Sequence, residues 1–281
     1  MTENQELEEA TRLNEQSVRL YQQGEYDQAL PLAEQALAIR KRVLGDEHTD
    51  TADSLHNLAA LYHEQKQYEE AESLYKQALM ICQQQLGNQH FDTDGTLNNL
   101  AALYHDQQRY TEAEPLYKQV LAIRQRRLGD RHPATAETLN NLALLYHVQQ
   151  RYEEAEPLHQ QVLTFCQQQL GNEHPYTAQT LNNLAFLYHV QQRYTEAEPL
   201  YQQVLTFCQQ QFGDDHTETA QTLNNLAEVY TSQSRYTEAE PLYLQALQIL
   251  ERHLGTDHPI TKTVLNNLDR LHQQCDSNTD C

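Results

Sequence analysis

The residues of this chain that could carry chemistry stand in rows. His63, His105, His147 and His189 are 42 residues apart, and so are His48, His90, His132, His174, His216 and His258. A metal site would need such ligands to converge within about 2.0 to 2.1 Å of one ion. Side chains one structural repeat apart sit a helix spacing from each other, roughly 8 to 10 Å, so neither row can close on a metal. The first row is expected to be solvated, and the second, which precedes Pro, Thr or Phe each time, to brace a loop. Cys82, Cys166 and Cys208 are also equivalent positions. They lie beyond the limit of about 7 Å between Cα atoms for a disulfide, which makes them reduced core thiols of a cytoplasmic protein by expectation. Glu69-Glu70 and Glu153-Glu154 fall at helix starts, where carboxylates complement the helix dipole. No phosphate-cradling glycine loop, Gly-x-Ser-x-Gly or His-Glu-x-x-His occurs. The chain is therefore expected not to be an enzyme and to need neither metal nor cofactor.

The elements that set this spacing can be read from one stretch, Leu139 to His147 (Leu-Asn-Asn-Leu-Ala-Leu-Leu-Tyr-His), which recurs from Leu97, Leu181, Leu223 and Leu265 and, with changes, from Leu55. A fixed period of 42 residues signals a stacked array of small units rather than the two globular domains that length suggests. Pro133 to Val148 carries Leu139, Leu142, Ala143 and Tyr146 at helical spacing, giving a first helix, A. Tyr152 to Gln169 carries Ala155, Leu158, Val162, Phe165 and Cys166, giving a second helix, B. Gly171 suits a left-handed cap at the end of B, and Pro175 suits the first turn of the next A. Pro157, past the first turn of B, should bend it slightly. The expected repeats cover about 10–44, 49–86, 91–128, 133–170, 175–212 and 217–254, followed by a cap helix at 260–274, all one domain over 1–274, with a disordered tail at 275–281.

Forty acidic against nineteen basic residues give a formal charge of −21, which argues against nucleic acid and anionic membrane as partners. No apolar run of about 18 residues is present, and the acidic start of the chain lacks an apolar signal region.

Leu97, Leu100, Ala101, Tyr104, Tyr110, Ala113 and Tyr117 are spaced as in the tetratricopeptide repeat, which this pattern resembles. The 42-residue period and Leu-Gly-Asp-Arg-His-Pro at 128–133 are similar to the longer variety found in kinesin light chains and in many bacterial repeat proteins. The resemblance covers about residues 10 to 274. It implies an all-α, right-handed superhelical solenoid of antiparallel helix pairs, with a C-terminal capping helix and a concave groove lined by the A helices. Kinesin light chains carry a heptad coiled coil before the array; its absence here favours a free-standing array of the bacterial kind.

The resemblance also implies a protein-interaction scaffold that binds a peptide segment in the groove. Asn98, Asn99, Asn140, Asn141, Asn182, Asn183, Asn224 and Asn225 form two columns of amides at one repeat spacing. In the family such residues often bond the ligand backbone; alternatively they bond neighbouring helices and set repeat curvature. Two adjacent asparagines cannot point the same way, so one of each pair should face the ligand. Where the columns vary, Leu144, Val148, Phe186 and Val190 give an apolar patch midway along an otherwise polar groove. Asp53, Glu64, Asp106, Glu137 and Glu228 make that groove acidic. The expected ligand is a neutral or basic segment with an apolar anchor near Phe186. Self-assembly, giving a homo-oligomer, is one alternative, and a regulatory or sensor subunit of an enzyme complex is another.

Overall fold

The computed structural model describes residues 2–277. Among them are thirteen helices: α1 (Glu3–Gln22), α2 (Tyr26–Leu44), α3 (Thr49–Glu64), α4 (Tyr68–Gln85), α5 (Phe91–Asp106), α6 (Tyr110–Leu128), α7 (Pro133–Val148), α8 (Tyr152–Gln169), α9 (Pro175–Val190), α10 (Tyr194–Phe212), α11 (Thr217–Ser232), α12 (Tyr236–Leu254) and α13 (Pro259–Ser277). The chain is all-α, a repeat array in which the odd-numbered helices are the A helices and the even-numbered the B helices. None of the described helices is long and apolar enough to cross a membrane.

Contacts divide the chain into two compact units, Met1–Gln149 and Gln150–Cys281. In the first, α1 to α7 each pack on the next helix in sequence, and the A helices α1, α3, α5 and α7 also touch in succession. In the second, α8 to α13 pack in the same consecutive way, and α11 touches α13. The stripes read from sequence are the buried ones. In α5, Leu97, Leu100, Ala101 and Tyr104 are buried, facing Ala113, Tyr117 and Val120 of α6. Ala101 and Ala113 have no exposed surface at all, because a larger side chain at either would hold the two helices apart. Truncating a buried Leu in such a core costs about 2 to 5 kcal/mol.

The turn between A and B takes only three residues, and one of them must be left-handed. Gln108 has φ 59°, and its equivalents Lys66, Gln150, Gln192 and Ser234 have φ from 59° to 62°. Arg109 N–H reaches back to Tyr104 O at 2.8 Å and Gln108 N–H to His105 O at 2.9 Å, closing the helix end. The left-handed cap thus ends A, on a residue with a side chain. Gly171, expected to cap B, has φ 88° and its N–H closes the helix end on Cys166 O at 3.0 Å; where a B helix ends directly on its glycine, positive φ is combined with extended ψ (89° and 171° at Gly45, 91° and 168° at Gly213), a region essentially reserved to glycine. That conformation straightens the chain into the loop instead of curling it back.

The loop row of histidines caps the A helices. His174 Nδ1 accepts the N–H of Tyr176 at 3.1 Å, and His48, His90, His132, His216 and His258 make the equivalent bond. A threonine column not singled out from sequence completes the loop. The Thr51, Thr93, Thr135, Thr177 and Thr219 hydroxyls donate to the carbonyls of Gly45, Gly87, Gly129, Gly171 and Gly213 at 2.7 to 2.9 Å. Pro157 lies inside an unbroken α8, since near a helix start it removes a single ladder bond.

At the end of the array, α13 runs past residue 274 and takes in Cys275, Asp276 and Ser277, where a disordered tail was expected. Val264, Leu268 and Leu271 are buried along it, and no Gly or Pro interrupts it. Residues 278–281, the rest of the expected tail, lie outside the described residues.

Glycine relieves a left-handed position at no steric cost, as Gly24 already does in the first turn. Gln108→Gly and Gln192→Gly should therefore each raise stability by about 0.5 to 1 kcal/mol, and Gly24→Gln should lower it. Urea unfolding of the single variants checks both signs.

Candidate functional site

The A helices carry the candidate residues, and the helix stripe that buries Leu97 and Tyr104 fixes which way these point. Asn98 is buried, and Asn99 and Ala102 are half-buried. Along this face the amide columns form a ladder between successive A helices. Asn57 Nδ2 donates to Asn14 Oδ1 at 3.1 Å, Asn267 Nδ2 to Asn224 Oδ1 at 3.0 Å, and Asn225 Nδ2 to Asn182 Oδ1 at a long 3.5 Å. In each rung the second residue of a pair reaches the first residue of the preceding pair. These asparagines therefore set the register of neighbouring helices. Asn140, Asn141 and Asn183 are half-buried on the same columns.

One rung uses a histidine, and its hydrogen bonds assign the tautomer. His56 replaces the first asparagine; Asn99 Nδ2 donates to its Nε2 at 3.1 Å, so the proton sits on Nδ1 and is given to Thr96 Oγ1 at 3.1 Å. Thr96 Oγ1 in turn donates to Asp92 O at 2.8 Å. Burial pushes the pKa of His56 below the ordinary 6.5, more strongly than nearby Asp53 and Asp92 push it up. Between α5 and α7 the rung is missing. Asn98 is 7% exposed and its Oδ1 has no hydrogen-bond partner, because Asn141, the corresponding donor, does not reach it.

The acidic residues expected to face a ligand have partners of their own. Asp53 bonds Arg40 at 2.9 Å, Glu137 bonds Arg124 at 3.3 Å, and Glu64 accepts from Tyr21 Oη at 2.9 Å. Glu228 accepts from Asn267 at 2.7 Å and lies 3.8 Å from Arg270. Arg40 and Arg124 are buried at the end of the B helices, at a position that elsewhere is Cys82, Cys166, Cys208 or Leu250, so nothing in the A-helix columns announces them. Arg124 also pairs with the buried Asp94 at 3.4 Å, as does Arg127 at 3.2 Å. Desolvation still raises the pKa of that carboxyl, against the pull of Arg124.

The histidine row expected to be solvated is half-buried instead. His63 Nε2 meets Asp106 Oδ2 at 2.9 Å and His189 Nε2 meets Ser232 Oγ at 3.2 Å, each on the next A helix. Their rings lie 5.9 Å from Tyr68 and 5.7 Å from Tyr194, the tyrosines opening the following B helices. Burial lowers the pKa of His147 and of His189.

The apolar candidates divide between the units. Leu144, half-buried, and Val148, 48% exposed, lie on α7; Phe186 and Val190, 42% and 37% exposed, lie on α9. Within each pair the residues are four apart on one helix, so they share a face.

A further brace was not evident from the helix pattern. Arg109 stacks 4.2 Å over the Tyr104 ring, bonds Glu112 at 2.5 Å and reaches Glu72 of the preceding B helix at 2.6 Å. Arg193 and Arg235 repeat this with Tyr188, Glu196 and Glu156, and with Tyr230, Glu238 and Glu198. The Arg109 hydrogen bond holds Glu72 at about 2. The signal was available as an Arg-Tyr-x-x-Ala column with Glu 37 residues before each Arg.

The His56 rung gives the face an acid sensitivity of known sign. In the unfolded chain His56 takes up its proton near 6.5, whereas the folded ring does so only at lower pH. Its contribution is complete above about 6.5 and is lost as pH falls below that. His56→Asn, which keeps an acceptor for Asn99, should flatten the decline in stability between about pH 7 and pH 5 relative to the unmodified chain, as read from urea midpoints.

The repeat pattern and the fold are shared with known proteins. The tetratricopeptide repeat pattern matches residues 20–84, 92–168, 135–189, 176–252 and 218–277. No curated protein matches the chain. Among solved structures, a substituted form of a Podosopora anserina putative kinesin light chain with nearly identical TPR-like repeats is 30% identical, covering 71% of this chain and 94% of that one with a TM-score of 0.63. BtubC (BKLC) from P. vanneervenii is 24% identical over 92% of this chain and 94% of its own, with a TM-score of 0.65. The signal transduction ATPase PH0952 from Pyrococcus horikoshii, which has a tetratricopeptide repeat sensor, aligns at 16% identity over 92% of this chain and 38% of its own, with a TM-score of 0.76. The last two likenesses are of fold. The repeated hairpins, the period and the match over most of the sequence together place this chain in the tetratricopeptide repeat family, in its kinesin-light-chain-like form.

Proposed function

We propose that the chain is a non-enzymatic protein-interaction scaffold, holding a segment of a partner protein along its A helices. The observation that carries this reading is the exposure of Val148, Phe186 and Val190 on helices whose equivalent positions are small or polar elsewhere: Asp106 and Ser232 match the valines, and Ala102 and Glu228 match Phe186. Exposed apolar side chains on a polar face mark contact sites. Asn182, Asn224 and Asn225, by contrast, spend hydrogen bonds on other asparagines, and Asn99 spends one on His56, so these rungs support the surface and the apolar residues grip the ligand. The net charge of −21 favours a neutral or basic segment, although pairing with Arg40 and Arg124 moderates the field at Asp53 and Glu137.

Random-peptide display against the purified chain, beside the double variant Leu144→Asp with Phe186→Asp matched in helical circular dichroism, tests the proposal. The expected result is a shared aromatic or aliphatic anchor, enriched only by the unmodified chain and more often flanked by Lys or Arg than by Asp or Glu. Enrichment of the same peptides by both proteins would sink it. A mass that grows with concentration, together with no enriched peptide, would point to self-assembly.

A further inference from the structure

One A helix differs from the rest where it faces its neighbours. Position 95 of α5 is glycine, whereas the equivalent positions hold Asp53, Glu137, Gln179 and Gln221. Glycine inside a helix costs about 1 kcal/mol relative to Ala. Neither backbone nor packing demands it: Gly95 is not a positive-φ residue, and a Cβ there would meet nothing within 4 Å. The missing side chain instead leaves room. A pocket of about 490 Å³ in the first unit is lined by Asp50, Asp53, Phe91, Asp92, Gly95, Asn98, Arg124 and Glu137, among others. It contains the broken rung of the ladder, the buried Asn98 whose Oδ1 has no partner. A buried amide oxygen without a donor is costly, about 1 to 3 kcal/mol.

The chemistry of the pocket selects its occupant. An acceptor awaits a donor, and the four carboxylates of the lining face one lining guanidinium, Arg124, which is already held by Asp94, Glu137 and Thr138, while Arg40 pairs with Asp53 from outside the lining. All four carboxylates remain more than half exposed, so they can turn to a cation. His56 at the wall spends its two ring nitrogens on Asn99 and Thr96. Phe91, 62% exposed, offers an apolar ring to a hydrocarbon stem and a π face to a charge. We infer that the Gly95 pocket is a binding site for an alkylammonium group, which donates to Asn98 Oδ1 and balances the charge that Asp50 and Asp92 add to the lining beside the Arg-paired Asp53 and Glu137. A lysine side chain of a bound segment and a free diamine both carry that group. The lysine form rests on the segment-binding reading above and adds a basic subsite to it.

Titration of the full chain with a capped Ala-Lys-Ala peptide, the same peptide with norleucine for lysine, and cadaverine, followed by amide NMR shifts, tests this. The lysine peptide and cadaverine should shift the α3 and α5 amides, and norleucine should not. Gly95→Gln, which restores the side chain its equivalents carry and should fold at least as well, is expected to weaken binding tenfold or more. Asn98→Leu should do the same, and Gly95→Ala serves as a smaller plug if the glutamine variant loses helicity. Norleucine bound as tightly as lysine, equal binding by the plugged variant, or no binding by either amine overturns the inference. Cadaverine bound without the peptide assigns the site to free amines. Display-selected peptides that bind Gly95→Gln unchanged remove the lysine subsite and leave the segment-binding reading intact.

Discussion

A helical hairpin of this sequence cannot bury its own apolar surface, and everything else in the molecule follows from that. Leu97 of α5 is covered by α6 and by Leu79 of the preceding repeat, and Tyr104 reaches Glu72 of that repeat, so a hairpin is stable only in a stack. The stack must hold one spacing throughout, which is why alanine recurs where helices touch. Ala59, Ala101, Ala185 and Ala227 on A helices, and Ala71, Ala113, Ala197 and Ala239 on B helices, have no exposed surface. A methyl group is the largest side chain that lets the backbones approach that closely.

Apolar packing fixes distance but not register, and polar groups supply the rest. Amide rungs tie α1 to α3, α9 to α11 and α11 to α13, the Arg109, Arg193 and Arg235 forks tie the end of one A helix to the preceding B helix, and the inter-repeat loops are closed by a His cap and, in the first five, a Thr–Gly bond. Exposed ion pairs of this sort are individually weak, about 0 to 1 kcal/mol. Stacking on a tyrosine and bidentate geometry make the forks more specific than their energies suggest. Against this regularity single departures from the repeat stand out. Phe186, Val190 and Val148 depart by adding apolar surface, and Gly95 departs by removing a side chain. A repeat protein can vary such positions freely because the stack does not depend on them.

The sequence by itself determined the helices, their pairing and the core, because a 3.6-residue stripe and a fixed period state locally which side chains must be buried. The ranges Pro133–Val148 for α7 and Tyr152–Gln169 for α8 could be read directly from Leu139, Tyr146, Ala155 and Phe165 with their flanking Gly and Pro. The tertiary structure alone decided where the polar side chains spend their hydrogen bonds. Whether Asn57 faces solvent or Asn14, whether His56 is solvated or locked as one tautomer, and whether Asp53 is a free charge or Arg40's partner all depend on residues a full repeat or a different helix away. The positive φ of Gln108, a residue with a side chain, has the same origin, since the conformation is imposed by the path between two packed helices. Burial is a property of one helix and its period; hydrogen-bond partnership is a property of two elements brought together, and no local pattern encodes it.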